Sequence, residues 1–150
     1  THTHHPDTRT RDHPTTTPLN RKSRFTPRPR RAAARSHDRE NLVEELQAIR
    51  RRVQMVSCTS RDSFHDGSDA YDVASMVIIR LAALFERPEF TSYLTAITRE
   101  ERLAIATTRN IAAHTGYKSM NDDLFWAAVT QRVPEILDRL IEESAGPEER

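Results

Sequence analysis

The chain has 150 residues, with 23 Lys and Arg against 22 Asp and Glu, and its apolar runs fall well short of the ~18 residues that a membrane span needs. Its single cysteine, Cys58, excludes a disulfide framework and a cysteine-based zinc site. The basic, Thr-rich beginning has no apolar secretory core, so the composition predicts a cytoplasmic protein.

The near-zero net charge conceals a division. Residues 1–36 carry nine basic residues and two acids, a charge of +7, and residues 37–150 carry 14 basic and 20 acidic residues, a charge of −6. Five of the eight prolines lie in the first 36 positions, where Leu19 and Phe25 are the only large apolar residues. Such a stretch buries too little apolar surface to offset the entropy of ordering. Residues 1–37 are therefore expected to form a disordered basic arm, and residues 38–145 a single folded domain. The arm's charge would attract RNA phosphates in a salt-dependent way.

From residue 38 the apolar residues recur with a helical period. Leu42, Val43, Leu46, Ile49, Val53 and Val56 form one stripe, predicting a helix over 38–57 with Asp38 as its N-cap. A polar break at Ser57–Ser60 follows, then a helical turn at 60–66 and a bend at Gly67. Residues 69–86 are apolar around most of the circumference, which predicts a buried helix, and Pro88 stops it. Residues 89–94 make one short turn. Thr98-Arg-Glu-Glu101 is a capping box ahead of Leu103, Ile105, Ala106, Ile111 and Ala112, and it opens a third helix that runs to His114, with Gly116 as its stop. Asn121 or Asp122 caps a last helix whose apolar set runs from Leu124 to Ile141. Pro134 should kink that helix or start a second one, and Gly146-Pro147 ends it. With three glycines in the chain, a β-rich fold is excluded. The expected fold is an all-α, up-and-down antiparallel bundle of four to five helices.

Of seven histidines, only His65 and His114 fall within the body. The dense polar cluster is Arg109-Asn110-Ile-Ala-Ala-His114-Thr-Gly-Tyr117, at the end of the third helix. Asn110 and His114 lie within roughly 40° on one helix face, whereas Arg109 is roughly 140° from His114, so these two meet only in a cleft both edges reach or across an interface. The chemistry suits RNA cleavage by attack of the 2′-hydroxyl on the adjacent phosphorus. A histidine moves the proton, a guanidinium stabilises charge on the phosphoryl oxygens, and Asn110 orients the imidazole or contacts phosphate. The same residues also have structural roles open to them. His114 suits a helix C-terminus as a cation, Arg109 would pair with Asp122 or Asp123, and Asn110 would serve as a buried amide.

Arg109-Asn110-Ile-Ala-Ala-His114, then Tyr117, Asp122-Asp-Leu-Phe-Trp126 and Val133-Pro134-Glu-Ile-Leu137, resembles the HepT-like branch of the HEPN toxins. The family signature is Arg, four to six residues, then His; in that branch Asn commonly follows the Arg and a Tyr lies just after the His. The family more often has one residue before that Tyr, where this chain has Thr115 and Gly116. Its second helix usually carries Ile-Gly-Glu-Ala, where this chain has Ile79-Arg-Leu-Ala-Ala-Leu-Phe-Glu86. The resemblance implies a HEPN bundle and a homodimer whose Arg109 and His114 residues line one cleft. It further implies a metal-independent, cofactor-free endoribonuclease acting as the toxin of a type VII toxin–antitoxin pair. The partner antitoxin would be a minimal nucleotidyltransferase that AMPylates Tyr117. The alternatives are a non-catalytic HEPN module that binds a nucleotidyltransferase or a nucleotide as a scaffold, and a helical interaction protein whose arm binds nucleic acid.

Overall fold

The computed structural model describes residues 2–3, 27–114 and 120–146, with side chains of the first helix from Ala32 onward. Among the described residues there is no strand. Five α-helices follow in order: α1 (Pro27–Ser57), α2 (Asp69–Phe85), α3 (Arg99–His114), α4 (Asp122–Ala127) and α5 (Val133–Ala145). Short 3-10 turns at Arg61–Ser63 and Pro88–Tyr93 connect the first three, and a π turn at Ala128–Arg132 joins the last two. The all-α expectation holds, and no described helix is long and apolar enough to cross a membrane.

The start of α1 differs from expectation. The helix begins eleven residues before Asp38, so Asp38 is interior and not an N-cap, and residues 27–37 of the predicted arm are helical. Pro27 and Pro29 are compatible with this start, because first-turn N–H groups have no intrahelical partner to lose. Ala32, Ala33 and Ala34 then favour the helix intrinsically. Residues 32–37 are exposed, and the first fully buried side chain is Leu42. Packing thus begins where the hydrophobic stripe begins, although the helix itself starts earlier.

α1 packs against α2 and against α5 and the π turn. Leu42, Leu46, Ile49, Val53 and Val56 are all buried, as the period predicts. Ser68 caps α2 by accepting from the Tyr71 amide at 3.3 Å, and Gly67 supplies the positive φ of +97° before it. α2 buries eight side chains, from Tyr71 to Leu84, and only Met76 and Ile79 among its large apolar residues are exposed. Phe64, Tyr71 and Phe125 form an aromatic cluster with centroid separations of 4.9, 5.0 and 5.5 Å, and Trp126 lies 5.2 Å from Phe64. This cluster ties the turn before α2 to α4.

Pro134 is accommodated without a break. α5 starts at Val133, whose N–H bonds back to the Ala128 carbonyl across the π turn. The wider turn relieves the clash that a proline ring makes with the preceding helical turn. Asn121, of the two candidates, is the cap of α4: its Oδ1 accepts from the Leu124 amide at 3.1 Å.

α3 is the peripheral helix. It packs on α2, and Ile105 is its only buried residue. Leu103, expected on the apolar stripe, is 65% exposed. The start of α3 is nevertheless firmly held. Glu101 Oε1 accepts from the Thr98 amide at 2.9 Å and Thr98 Oγ1 accepts from the Glu101 amide at 3.1 Å, completing the capping box. Arg139 of α5 forms an ion pair with Glu101 and donates to the Ala96 carbonyl at 2.9 Å.

Candidate functional site

The sequence candidates occupy the C-terminal half of α3. Side chains on a helix lean toward its N-terminus. Arg109 reaches to α2, where its Nη1 lies 2.8 Å from Glu86 Oε1. Below this pair lies a cleft of about 180 Å³ lined by Ala82, Phe85, Glu86, Arg102 and Ala106. Arg102 sits over the Phe85 ring at 5.9 Å and donates to the Leu94 carbonyl at 3.1 Å. Arg102 and Glu86 are the charged residues that line this cleft, and Glu86 is the residue that Arg109 pairs with.

His114, the last residue of α3, is exposed, and so is Asn110 one turn before it. Together with Leu103 and Thr107 they form an outward stripe within about 60° of one another on the helix. Within one chain the structure groups Asn110 with His114 and sends Arg109 to a different face.

The structural alternatives divide. Arg109 pairs with Glu86 and not with Asp122 or Asp123; Asp123 instead accepts from Arg61 Nε at 2.7 Å. Asn110 is exposed, which removes its reading as a buried amide. His114 does stand at the helix C-terminus, where a cation is favourable. His65 is exposed, its Nδ1 3.0 Å from the Asp66 carbonyl. Tyr117 and the Gly116 stop lie outside the described residues.

The residue that sequence reasoning missed is Glu86. It lies 23 positions before Arg109, at the C-cap of α2. Its one visible signal is that it ends an apolar helix just ahead of Arg87-Pro88, where a side chain can fold over the neighbouring helix.

Glu101 is the strongly perturbed acid. The Arg139 hydrogen bond is the main cause, and with the Thr98 contacts it outweighs desolvation and lowers the carboxyl to about 2. This is a structural anchor at the far end of α3 from His114. Comparison with family models, with curated proteins and with solved structures gives no match.

Proposed function

We propose that the chain is a metal-independent endoribonuclease toxin that cleaves RNA through Arg109 and His114 at a homodimer cleft, with Asn110 orienting the imidazole or the phosphate. The observation that carries this reading is the Arg-x4-His spacing on α3, with Asn110 and His114 together on its exposed face. An exposed imidazole is available to take the 2′-hydroxyl proton or to protonate the leaving oxygen. A guanidinium at the α2–α3 cleft is suited to the developing charge on the phosphoryl oxygens. Because Arg109 and His114 of one chain leave α3 on different faces, the dimer supplies the pairing: each groove joins groups from two copies. The partner is a minimal nucleotidyltransferase antitoxin that uses ATP to add AMP to Tyr117. An added phosphate would compete for the Arg109 site by charge and volume.

The engagement of Arg109 by Glu86 favours a second reading, a non-catalytic module that scaffolds a nucleotidyltransferase, since a cation already neutralised within its own chain has a structural role. Expression of wild type against His114→Ala separates the two. The nuclease reading requires growth arrest by wild type alone, with RNA products ending in 2′,3′-cyclic phosphate or 3′-phosphate. Equal growth of both strains, with retained binding of the nucleotidyltransferase, supports the scaffold.

A further inference from the structure

Arg102 is half-buried at the α2–α3 cleft and makes no ion pair among the described residues. Its Nη2 donates to the Leu94 carbonyl at 3.1 Å, and its Cζ sits 5.9 Å over the ring of Phe85. These two contacts hold the guanidinium from one edge and from one face. The group carries five N–H donors in a rigid fork, so one carbonyl leaves a pair of adjacent donors available. The remaining lining is Ala82, Phe85, Glu86 and Ala106. The two alanines leave the space between the helices open, and Phe85, half-buried against the core, is a fixed aromatic wall.

Charge and size both select against an anion and against a whole small molecule. One guanidinium and one carboxylate line the cleft, so a phosphate inside it would meet attraction and repulsion together. A neutral planar group avoids that conflict and gains contact with Phe85 and the alanines. The volume of about 180 Å³ is below the ~300–1,000 Å³ usual for sites that enclose a free ligand, so the cleft takes one flat part of a larger molecule. A pair of adjacent N–H donors matches a pair of adjacent acceptors, and guanine presents O6 and N7 in that arrangement. Adenine puts an amino donor beside N7, which a guanidinium cannot accept. On α3, Arg102 and Arg109 share a face and are separated by roughly 10 Å along the axis, within reach of one strand.

We propose that the α2–α3 cleft is a base pocket that takes one unpaired guanine of an RNA strand, with O6 and N7 on the Arg102 guanidinium and the ring beside Phe85. The ligand class rests on the reading of the chain as an RNA-cleaving protein, and the preference for guanine rests on Arg102 and the cleft. Glu86 keeps its partner Arg109 at the rim. Arg102 is a specificity residue and moves no proton.

The test is anisotropy titration of the full chain with short 2′-O-methyl oligoadenylates whose central base is A, G, C or U. These strands have no 2′-hydroxyl to support cleavage, so binding is read apart from catalysis. The expected result is that the G strand binds about tenfold more tightly than the other three. Arg102→Lys keeps the charge and loses the paired donors, so it should bind all four strands alike, at the wild-type affinity for the A strand. Ala106→Leu places a strong helix former that fills the cleft and should abolish the preference in the same way. Equal affinity of wild type for the four strands, tighter binding of a base other than guanine, or no measurable binding of any strand overturns the proposal. So does an Arg102→Lys protein that keeps the preference, whether or not its overall affinity falls. A nuclease that binds and cuts every sequence equally would retain the catalytic reading and lose this one, and a guanine-selective strand binder that cuts nothing would do the reverse.

Discussion

Arg109 of α3 is held 2.8 Å from Glu86 of α2, so the cation proposed to meet phosphate is already paired with a carboxylate in the same chain. The pair is partly open to solvent, Arg109 at 29% and Glu86 at 66% exposure, so its contribution to stability is small. Its effect falls on binding instead, because a substrate phosphate must compete with Glu86 for the guanidinium. Glu86→Gln keeps an acceptor in place and removes the competing charge. The expected outcome is a KM for RNA lowered about threefold at low salt, with the difference shrinking as ionic strength rises. A raised KM would show instead that Glu86 positions Arg109 for the reaction.

The two proposed catalytic residues differ in what their loss should do. His114 is exposed and terminal in α3, so His114→Ala leaves the melting temperature unchanged and lowers cleavage by about 10²–10⁴. Arg109→Ala lowers cleavage comparably and costs less than about 1 kcal/mol through the lost Glu86 pair. Because the proposed chemistry uses only these side chains, cleavage by wild type persists in EDTA. Circular dichroism with single-turnover cleavage checks all three outcomes, and full cleavage by His114→Ala removes the assignment.

The anchor of α3 predicts a dependence on pH. Glu101 has a folded value of about 2 against an ordinary 4.5, because its ionised form accepts from Arg139 and from Thr98. A lowered carboxyl stabilises the fold fully above its unfolded value and loses that contribution as pH falls through the folded value. Stability should therefore decline between about pH 5 and pH 2 more steeply in wild type than in Glu101→Gln. Arg139 remains about a third exposed, so the contribution is discounted for solvent screening, and Glu101→Gln should cost about 1–2 kcal/mol at neutral pH. Parallel acid unfolding curves for the two proteins would remove Glu101 as the source.

What the sequence made legible here was local chemistry. Thr98 and Glu101 three residues apart specify a cap that depends on no distant contact, and Leu42 to Val56 recur with a period that only one face can satisfy. Where burial depended on a neighbour, the reading failed. Leu103 and Leu124 look like core residues by type, yet they are 65% and 70% exposed, because no element among the described residues covers those faces of α3 and α4. The early start of α1 was missed for the opposite reason. Residues 32–37 are exposed, so hydrophobic period carries no signal there, and the alanine run marks the helix. In the candidate site, the placement of His114 at the end of a helix was readable, and the Glu86 partner of Arg109 was not, because it is set by how α2 lies on α3.

The aromatic cluster joins segments far apart in sequence and should dominate stability. Phe125 is buried and meets Phe64 at 5.5 Å and Tyr71 at 5.0 Å, both edge-on. Phe125→Ala is expected to cost about 3–5 kcal/mol, from lost apolar burial plus the cavity left behind. The neighbouring Leu124→Ala, at an exposed position, should cost less than about 0.5 kcal/mol. Chemical denaturation of the two variants measures the contrast, and comparable losses would mean that Leu124 is covered in solution.

The proposed homodimer is tested through α3. Leu103, Thr107, Asn110 and His114 share its outward stripe, and Leu103 is a large apolar side chain that a single chain leaves mostly in water. On α2, Met76 and Ile79 are likewise partly exposed, so the two helices that flank the candidate cleft both carry uncovered apolar residues. Under two-fold symmetry a patch that meets itself brings equivalent residues together, so an isologous contact along α3 would place both His114 residues toward one groove. Covering Leu103 would remove apolar surface from water at roughly 25 cal/mol per Å² in each protomer. Leu103→Glu puts like charges at the centre of that contact and leaves the buried residue Ile105 untouched. Light scattering at micromolar concentration should give twice the chain mass for wild type and the chain mass for Leu103→Glu, with RNA cleavage lost in the monomer although Arg109 and His114 are intact. A wild-type monomer that cleaves RNA would separate the activity from the dimer and require Arg109 and His114 to act within one chain.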